Sequence, residues 1–210
     1  MIEIPTWGDR RHIRIGLYGG SFNPFHKGHL KLAKMALTQL QLDQVWLMVS
    51  PGNPLKRGSF MAPFGERYQR VKQNTDGRRL IATDIEKRLG TRYSCDTIEI
   101  LQTRFPRSHF VWLMGADSLA QMALWSHWKE IVRLVPMVIF PRPSYIFPAL
   151  KGKAACCLKK ARYPDRYAPV IANMKAPAWI FMQTPQTNIS ATALRNQDMT
   201  SDKSFELKKD

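Results

Sequence analysis

Two histidines three residues apart, His26 and His29, close a glycine-led loop, Gly19-Gly20-Ser21-Phe22-Asn23-Pro24-Phe25-His26-Lys27-Gly28-His29. An apolar run ends where the loop begins, and a helical pattern follows it. Adjacent glycines let a backbone come close to a phosphate. At a helix start, side chains at i and i+3 face the same way. The helix N-terminus adds N–H groups and partial positive charge. The chemistry assembled is the binding of an anion, a nucleotide phosphate above all. Other phosphate loops do not match: no G-x-x-x-x-G-K-[ST] is present, and no G-x-G-x-x-G follows the strand. No third ligand accompanies the histidines, so zinc is not indicated.

Further residues of chemical interest lie downstream. Asp117 follows an apolar run and can accept hydrogen bonds from ribose hydroxyls or cap the next helix. Ser190 can cap a helix whose first turn presents Thr192 and Arg195, a second anion site with a charge-assisted donor. Trp125 and Trp128 have helical spacing, which usually marks a core face.

The loop G-G-S-F-N-P-x-H-x-G-H resembles the signature of the HxGH nucleotidyltransferase superfamily. Gly115-Ala116-Asp117-Ser118-Leu119, Arg92-Tyr93-Ser94 ahead of Asp96-Thr97, Trp125 with Trp128, and Ile189-Ser190-Ala191-Thr192-Ala193-Leu194-Arg195 narrow it. In this order they resemble bacterial nicotinate-mononucleotide adenylyltransferases, from residue 14 to about 197. The resemblance implies transfer of AMP from ATP to nicotinate mononucleotide in NAD biosynthesis. It implies His26, His29 and Arg195 as catalytic groups, and Gly19, Gly20, Ser21, Phe22, Asp117, Ser190 and Thr192 beside them around ATP. It places Asn23, Lys56, Tyr93, Ser94, Trp125 and Arg142 on the mononucleotide, Trp125 stacking on the pyridine ring while Trp128 packs. Mg²⁺ is expected to arrive with ATP, held by phosphate oxygens and water rather than by a protein carboxylate cluster. Three features depart from the family pattern. Leu55 replaces the usual histidine before Lys56, Asn23 stands where Asp is common, and little chain follows Arg195. The same loop also serves adenylyltransferases acting on nicotinamide mononucleotide or phosphopantetheine; Asp117 and Trp125 disfavour the latter.

The elements that must position these groups read as alternating strands and helices. Strands are expected at Arg14 to Gly19, Val45 to Ser50, Arg79 to Thr83, Phe110 to Met114, Met137 to Phe140 and Trp179 to Met182. Helices are expected at Leu30 to Leu42, Phe64 to Thr75, Ser94 to Phe105 and Trp125 to Leu134. Such alternation predicts an α/β fold with a doubly wound, mostly parallel sheet, Rossmann-like as the resemblance also implies. Ligands in such sheets sit beyond the carboxyl ends of the strands, where the histidine loop falls. Residues 1–13 read as an N-terminal extension, 14–197 as one domain and 198–210 as a polar tail. A proline-rich, basic stretch at about 141–177 reads as a surface excursion between the last two strands, with a short helical pattern near Lys153 to Ala161.

Composition sets the outer bounds. The 210 residues are 44% hydrophobic and 23% charged, which excludes a disordered chain. The +16 formal charge suits small polyanions, nucleic acid or a membrane surface. A nucleic-acid-binding protein is the rival reading, yet no helix-turn-helix, RNP or zinc-finger pattern is present, and no nucleic-acid partner is expected. No apolar run approaches the roughly 18 residues of a membrane span, so no membrane partner is expected either. The N-terminus lacks a signal-peptide layout, and Cys95, Cys156 and Cys157 form neither a disulfide framework nor a Cys-x-x-Cys pair. A cytoplasmic location follows as the expectation. The sequence does not fix the oligomeric state; a homodimer is compatible with it.

Overall fold

The computed structural model describes residues 3–52 and 61–183. Seven strands form one sheet: β1 (Arg14–Gly20), β2 (Gln44–Val49), β3 (Leu80–Thr83), β4 (His109–Gly115), β5 (Met137–Phe140), β6 (Arg162–Tyr163) and β7 (Trp179–Phe181). Their order is β3-β2-β1-β4-β5-β7-β6, and every neighbouring pair is parallel. The sheet is therefore wholly parallel, the outcome of short apolar strands joined by helical crossovers.

Strand periodicity divides the core in two. Ile15, Leu17, Trp46, Met48, Phe110, Trp112 and Met114 bury on one face, and Val45, Leu47, Val49, Val111 and Leu113 on the other. On the first face pack α3 (Ile85–Leu89), α4 (Ser94–Arg104), α5 (Ala116–Gln121), α6 (Trp128–Leu134), α7 (Ile146–Lys151) and α8 (Lys153–Cys157) through Ile85, Ile98, Leu119, Ile131, Ala149 and Ala154. On the second pack α1 (Lys27–Gln39) and α2 (Phe64–Gln73), with Ala33, Ala36, Leu37 and Val71, joined by a 3-10 helix, Asp165–Asn173, that buries Ala168 and Ile171. Burying side chains of this size is worth about 1.5–3 kcal/mol each for the larger ones, which makes these two layers the main source of stability.

Several expectations change. α1 starts at Lys27 rather than Leu30, because His26 caps it. The helix expected from Trp125 starts instead at Trp128. His127 is left-handed there, with φ 58°, and Trp125 is extended after a 3-10 turn, Met122–Leu124. The stretch 141–177 is more than loop: it holds α7, α8, β6 and the 3-10 helix, and β6 extends the sheet beside β7. The residues before β1 are tied down as well. Arg88 bonds the Ile4 carbonyl at 2.9 Å and pairs with Asp84 and Glu3, while the Asp9 N–H donates to the Arg104 carbonyl at 3.1 Å. Among the described residues no helix is long and apolar enough to cross a membrane.

Candidate active site

The strand order reverses between β1 and β4, so the crevice beyond their carboxyl ends is the topological switch point. Three chain segments meet there: the loop after β1, the start of α5 after β4, and Arg142 just after β5.

The loop is rigidly folded. Phe22 is left-handed at φ 47° and buried, its ring against Tyr18, Phe25 and His29 with centroids 5.4, 5.7 and 5.1 Å away. That aromatic packing offsets the local cost of a positive φ in a bulky residue. The Asn23–Pro24 peptide is cis. A Cβ on Gly19 would lie 3.0 Å from the Trp112 ring, tighter than ordinary contact, so glycine there leaves room for that ring. The Gly20 carbonyl accepts from the Ser50 N–H at 2.9 Å, and the Asn23 Oδ1 accepts from the Ala62 N–H at 3.3 Å.

The two histidines cap α1 reciprocally. His26 Nδ1 accepts from the Gly28 N–H at 3.1 Å, and His29 Nδ1 accepts from the His26 N–H at 3.2 Å. This is a capping box with imidazoles in place of the usual hydroxyl and carboxylate. The rings stack with centroids 3.8 Å apart. With Nδ1 accepting, the proton of each neutral ring sits on Nε2. Burial, aided by the Arg142 charge and opposed by Asp117, pushes the His26 pKa down to about 4. His26 is thus a neutral N–H donor at physiological pH in the free protein. Its Nε2 is buried and has no hydrogen-bond partner among the described residues. A buried donor left unpaired costs about 1–3 kcal/mol, which a bound anion would recover.

Asp117 occupies the first turn of α5, whose N-cap is Gly115, so it is not the cap that sequence reasoning allowed. Its carboxylate instead pairs with Arg142. A Cβ at Gly115 would stand 2.5 Å from Asp117 Oδ1, so only glycine leaves room for this placement. Tyr18, buried beneath, has its pKa raised chiefly by desolvation and then by the Asp117 charge.

On the α4–α6 side, Tyr93 caps α4 and Ser94 opens it. The Tyr93 ring lies 5.2 Å from His127, so the Tyr93 segment and the segment after Trp125 are brought together. Trp128 is buried, as expected of a packing residue, and Trp125 is partly buried against the same core. Sequence reasoning missed His127 and Arg67. Arg67 stands four residues before buried Val71 on the inner face of α2, and a charged residue on an apolar stripe was the available signal. Lys56, Ser190, Thr192 and Arg195 lie outside the described residues, as does Leu55.

A wholly parallel, doubly wound sheet with a His-x-Gly-His loop at its switch point defines a nucleotidyltransferase, and the cytidylyltransferase-like family pattern matches residues 17–197. A protein of Gluconacetobacter diazotrophicus is 56% identical over 93% of this chain and 91% of its own length. One of Gluconobacter oxydans is 55% identical over 87% and 94%. Both are described as a "probable nicotinate-nucleotide adenylyltransferase". The chain belongs to the nicotinate-nucleotide adenylyltransferase family. The fold is shared with the nicotinic acid mononucleotide adenylyltransferase of Plasmodium falciparum, solved with NaAD, at TM-score 0.65 and 17% identity over 88% of this chain and 83% of that one.

Proposed function

We propose that the crevice between the histidine loop and Asp117–Arg142 is where AMP passes from ATP to nicotinate mononucleotide, giving nicotinate adenine dinucleotide and pyrophosphate. Family membership supports the reaction, and the buried His26 Nε2 at the N-terminus of α1, without a hydrogen-bond partner among the described residues, is the observation that favours this location.

The mononucleotide's phosphate oxygen attacks the α-phosphorus of ATP. A new P–O bond forms as the bond to the β-phosphate oxygen breaks, and pyrophosphate leaves with the electron pair. A phosphate monoester is already anionic near neutral pH, so no general base is needed, and catalysis rests on positioning and charge stabilisation. His26 and His29 donate to phosphate oxygens, with Gly19, Gly20, Ser21 and Phe22 shaping the backbone beside them. Asp117 accepts from a ribose, its orientation fixed by Arg142. Asn23, Tyr93, Ser94 and Trp125 flank the mononucleotide, Trp125 stacking on the pyridine. Ser190, Thr192, Arg195 and Lys56 complete the phosphate contacts in this reading.

The donor set suits a metal–triphosphate complex rather than a resident ion. Among the described residues no group of three His, Cys, Asp or Glu is placed to hold a metal. Mg²⁺ carried on ATP would be held by phosphate oxygens and water in this reading. When bound, it neutralises charge developing on the phosphates.

Isotope exchange between ATP and pyrophosphate tests the direct displacement. Exchange should require the mononucleotide product complex and be absent with enzyme and ATP alone. Acceptor-independent exchange would indicate an adenylylated histidine and overturn the mechanism.

A further inference from the structure

Arg67 is the most deeply buried charged side chain described, at 3% exposure. Its guanidinium donates to four main-chain carbonyls: Ala62 at 2.9 Å, Ser21 at 2.7 Å, Ser50 at 2.9 Å and Pro51 at 3.2 Å. These belong to three separate stretches of chain, namely the histidine loop, the end of β2, and the approach to α2. The Phe64 ring lies 5.6 Å from the guanidinium carbon. Among the described residues no carboxylate pairs with it, and burial shifts its pKa downward. Arginine usually enters an interior to meet a carboxylate, because desolvating its charge is costly. Here only carbonyls receive it.

Val71, on the same face of α2, supplies its apolar contact with the core, whereas Arg67 reaches past the helix to other segments. The fork joins Ser21, inside the phosphate loop, to Ser50 and Pro51 through one side chain. Two further bonds cross the same seam, from the Ser50 N–H to Gly20 and from the Ala62 N–H to Asn23. We infer that Arg67 is a positioning residue for adenylyl transfer: its planar fork locks the Ser21–Asn23 turn to the end of β2 and so sets the loop in its phosphate-accepting shape. The guanidinium touches no substrate in this arrangement. It acts through the backbone that bears His26 and His29. The inference rests on the loop being the phosphate site.

Lysine keeps the charge but not the fixed fork, and methionine keeps approximate bulk with neither. The Arg67→Lys and Arg67→Met proteins are compared with the unsubstituted enzyme for kcat, for both KM values, for affinity towards inorganic tripolyphosphate with Mg²⁺, and for melting temperature. Arg67→Lys should stay folded, lose at least roughly tenfold in kcat, weaken tripolyphosphate several-fold, and leave the mononucleotide KM within about twofold. Arg67→Met should lose more of the same quantities in the same order. A lowered melting temperature with kcat and tripolyphosphate affinity unchanged in Arg67→Lys would make the residue purely structural and overturn the inference. Should Arg67→Met fail to fold, Arg67→Lys decides alone. If the unsubstituted enzyme turns over while tripolyphosphate fails to compete with ATP, the loop is not the phosphate site, and the functional reading fails rather than the role of Arg67 within it.

Discussion

Replacing His26 by asparagine and by alanine separates two roles that the structure gives to one ring. Nδ1 caps α1 by accepting from the Gly28 N–H, while Nε2 is the buried donor without a partner. Asparagine is among the best N-caps, and its Oδ1 takes over the first role. Its amide is too short to place an N–H where Nε2 stands, so the second role is lost. Alanine loses both. An N-cap side chain is worth about 1 kcal/mol. In a domain of this size that is roughly 2–4 °C of melting temperature. A preorganised donor to a reacting phosphate oxygen is worth roughly 10²–10³ in kcat. His26→Asn should therefore melt with the unsubstituted protein yet lose about two orders of magnitude in kcat, and His26→Ala should lose both. Differential scanning calorimetry and initial rates of pyrophosphate release measure the two effects on the same samples. Near-normal turnover in His26→Asn would reduce His26 to a cap and refute the catalytic assignment. Equal melting temperatures for the alanine and asparagine proteins, both depressed, would refute the capping assignment.

Two other perturbations probe the core and the pyridine side. Burial raises the Glu86 pKa from its ordinary value to about 7. Between about pH 4.5 and 7 the folded state binds more protons than the unfolded one, so stability falls as pH rises through that window. Glu86→Gln should abolish this fall and gain up to about 3 kcal/mol at pH 8 relative to pH 5, as read from urea unfolding at the two pH values. An identical pH dependence in both proteins would show that Glu86 ionises normally. Trp125→Ala should weaken the mononucleotide by about 1–3 kcal/mol and leave the ATP KM unchanged; equal losses for both substrates with a lower melting temperature would assign Trp125 to the core.

How far the sequence carried depended on what each signal encoded. β4 was plain because Phe110 to Met114 is uniformly apolar and buried on both faces. β6 was not, because two exposed residues carry no periodicity. α7 was hidden by Pro148, a helix breaker by composition, which falls at the third position of the helix, where its missing N–H costs nothing. The start of α5 was misplaced because the helix begins directly at the end of β4, with Asp117, read as a possible cap, already inside its first turn. The two tryptophans at helical spacing overstated α6, since the left-handed backbone at His127 is not a property of spacing. In the site, the glycines and histidines were legible as local sequence. The Asp117–Arg142 pair was not, because it joins residues 25 apart that only the parallel register of β4 and β5 brings together. The neutral state of His26 was also beyond the sequence, since it follows from burial and from the direction of its Nδ1 bond.

The ratio of kcat/KM for nicotinate and nicotinamide mononucleotides at saturating Mg-ATP reports whether adenylyl transfer favours the deamidated mononucleotide. Acid and amide have nearly the same shape, so size cannot separate them. A carboxylate presents only acceptors, which suits the N–H groups in the first turn of α4, which Ser94 opens. An amide turned into that site leaves a donor facing a donor, at a cost of about 1–3 kcal/mol and more where a charged contact is lost. A preference for nicotinate of at least roughly 10²-fold is expected. Equal efficiencies, or a preference for the amide, would contradict it.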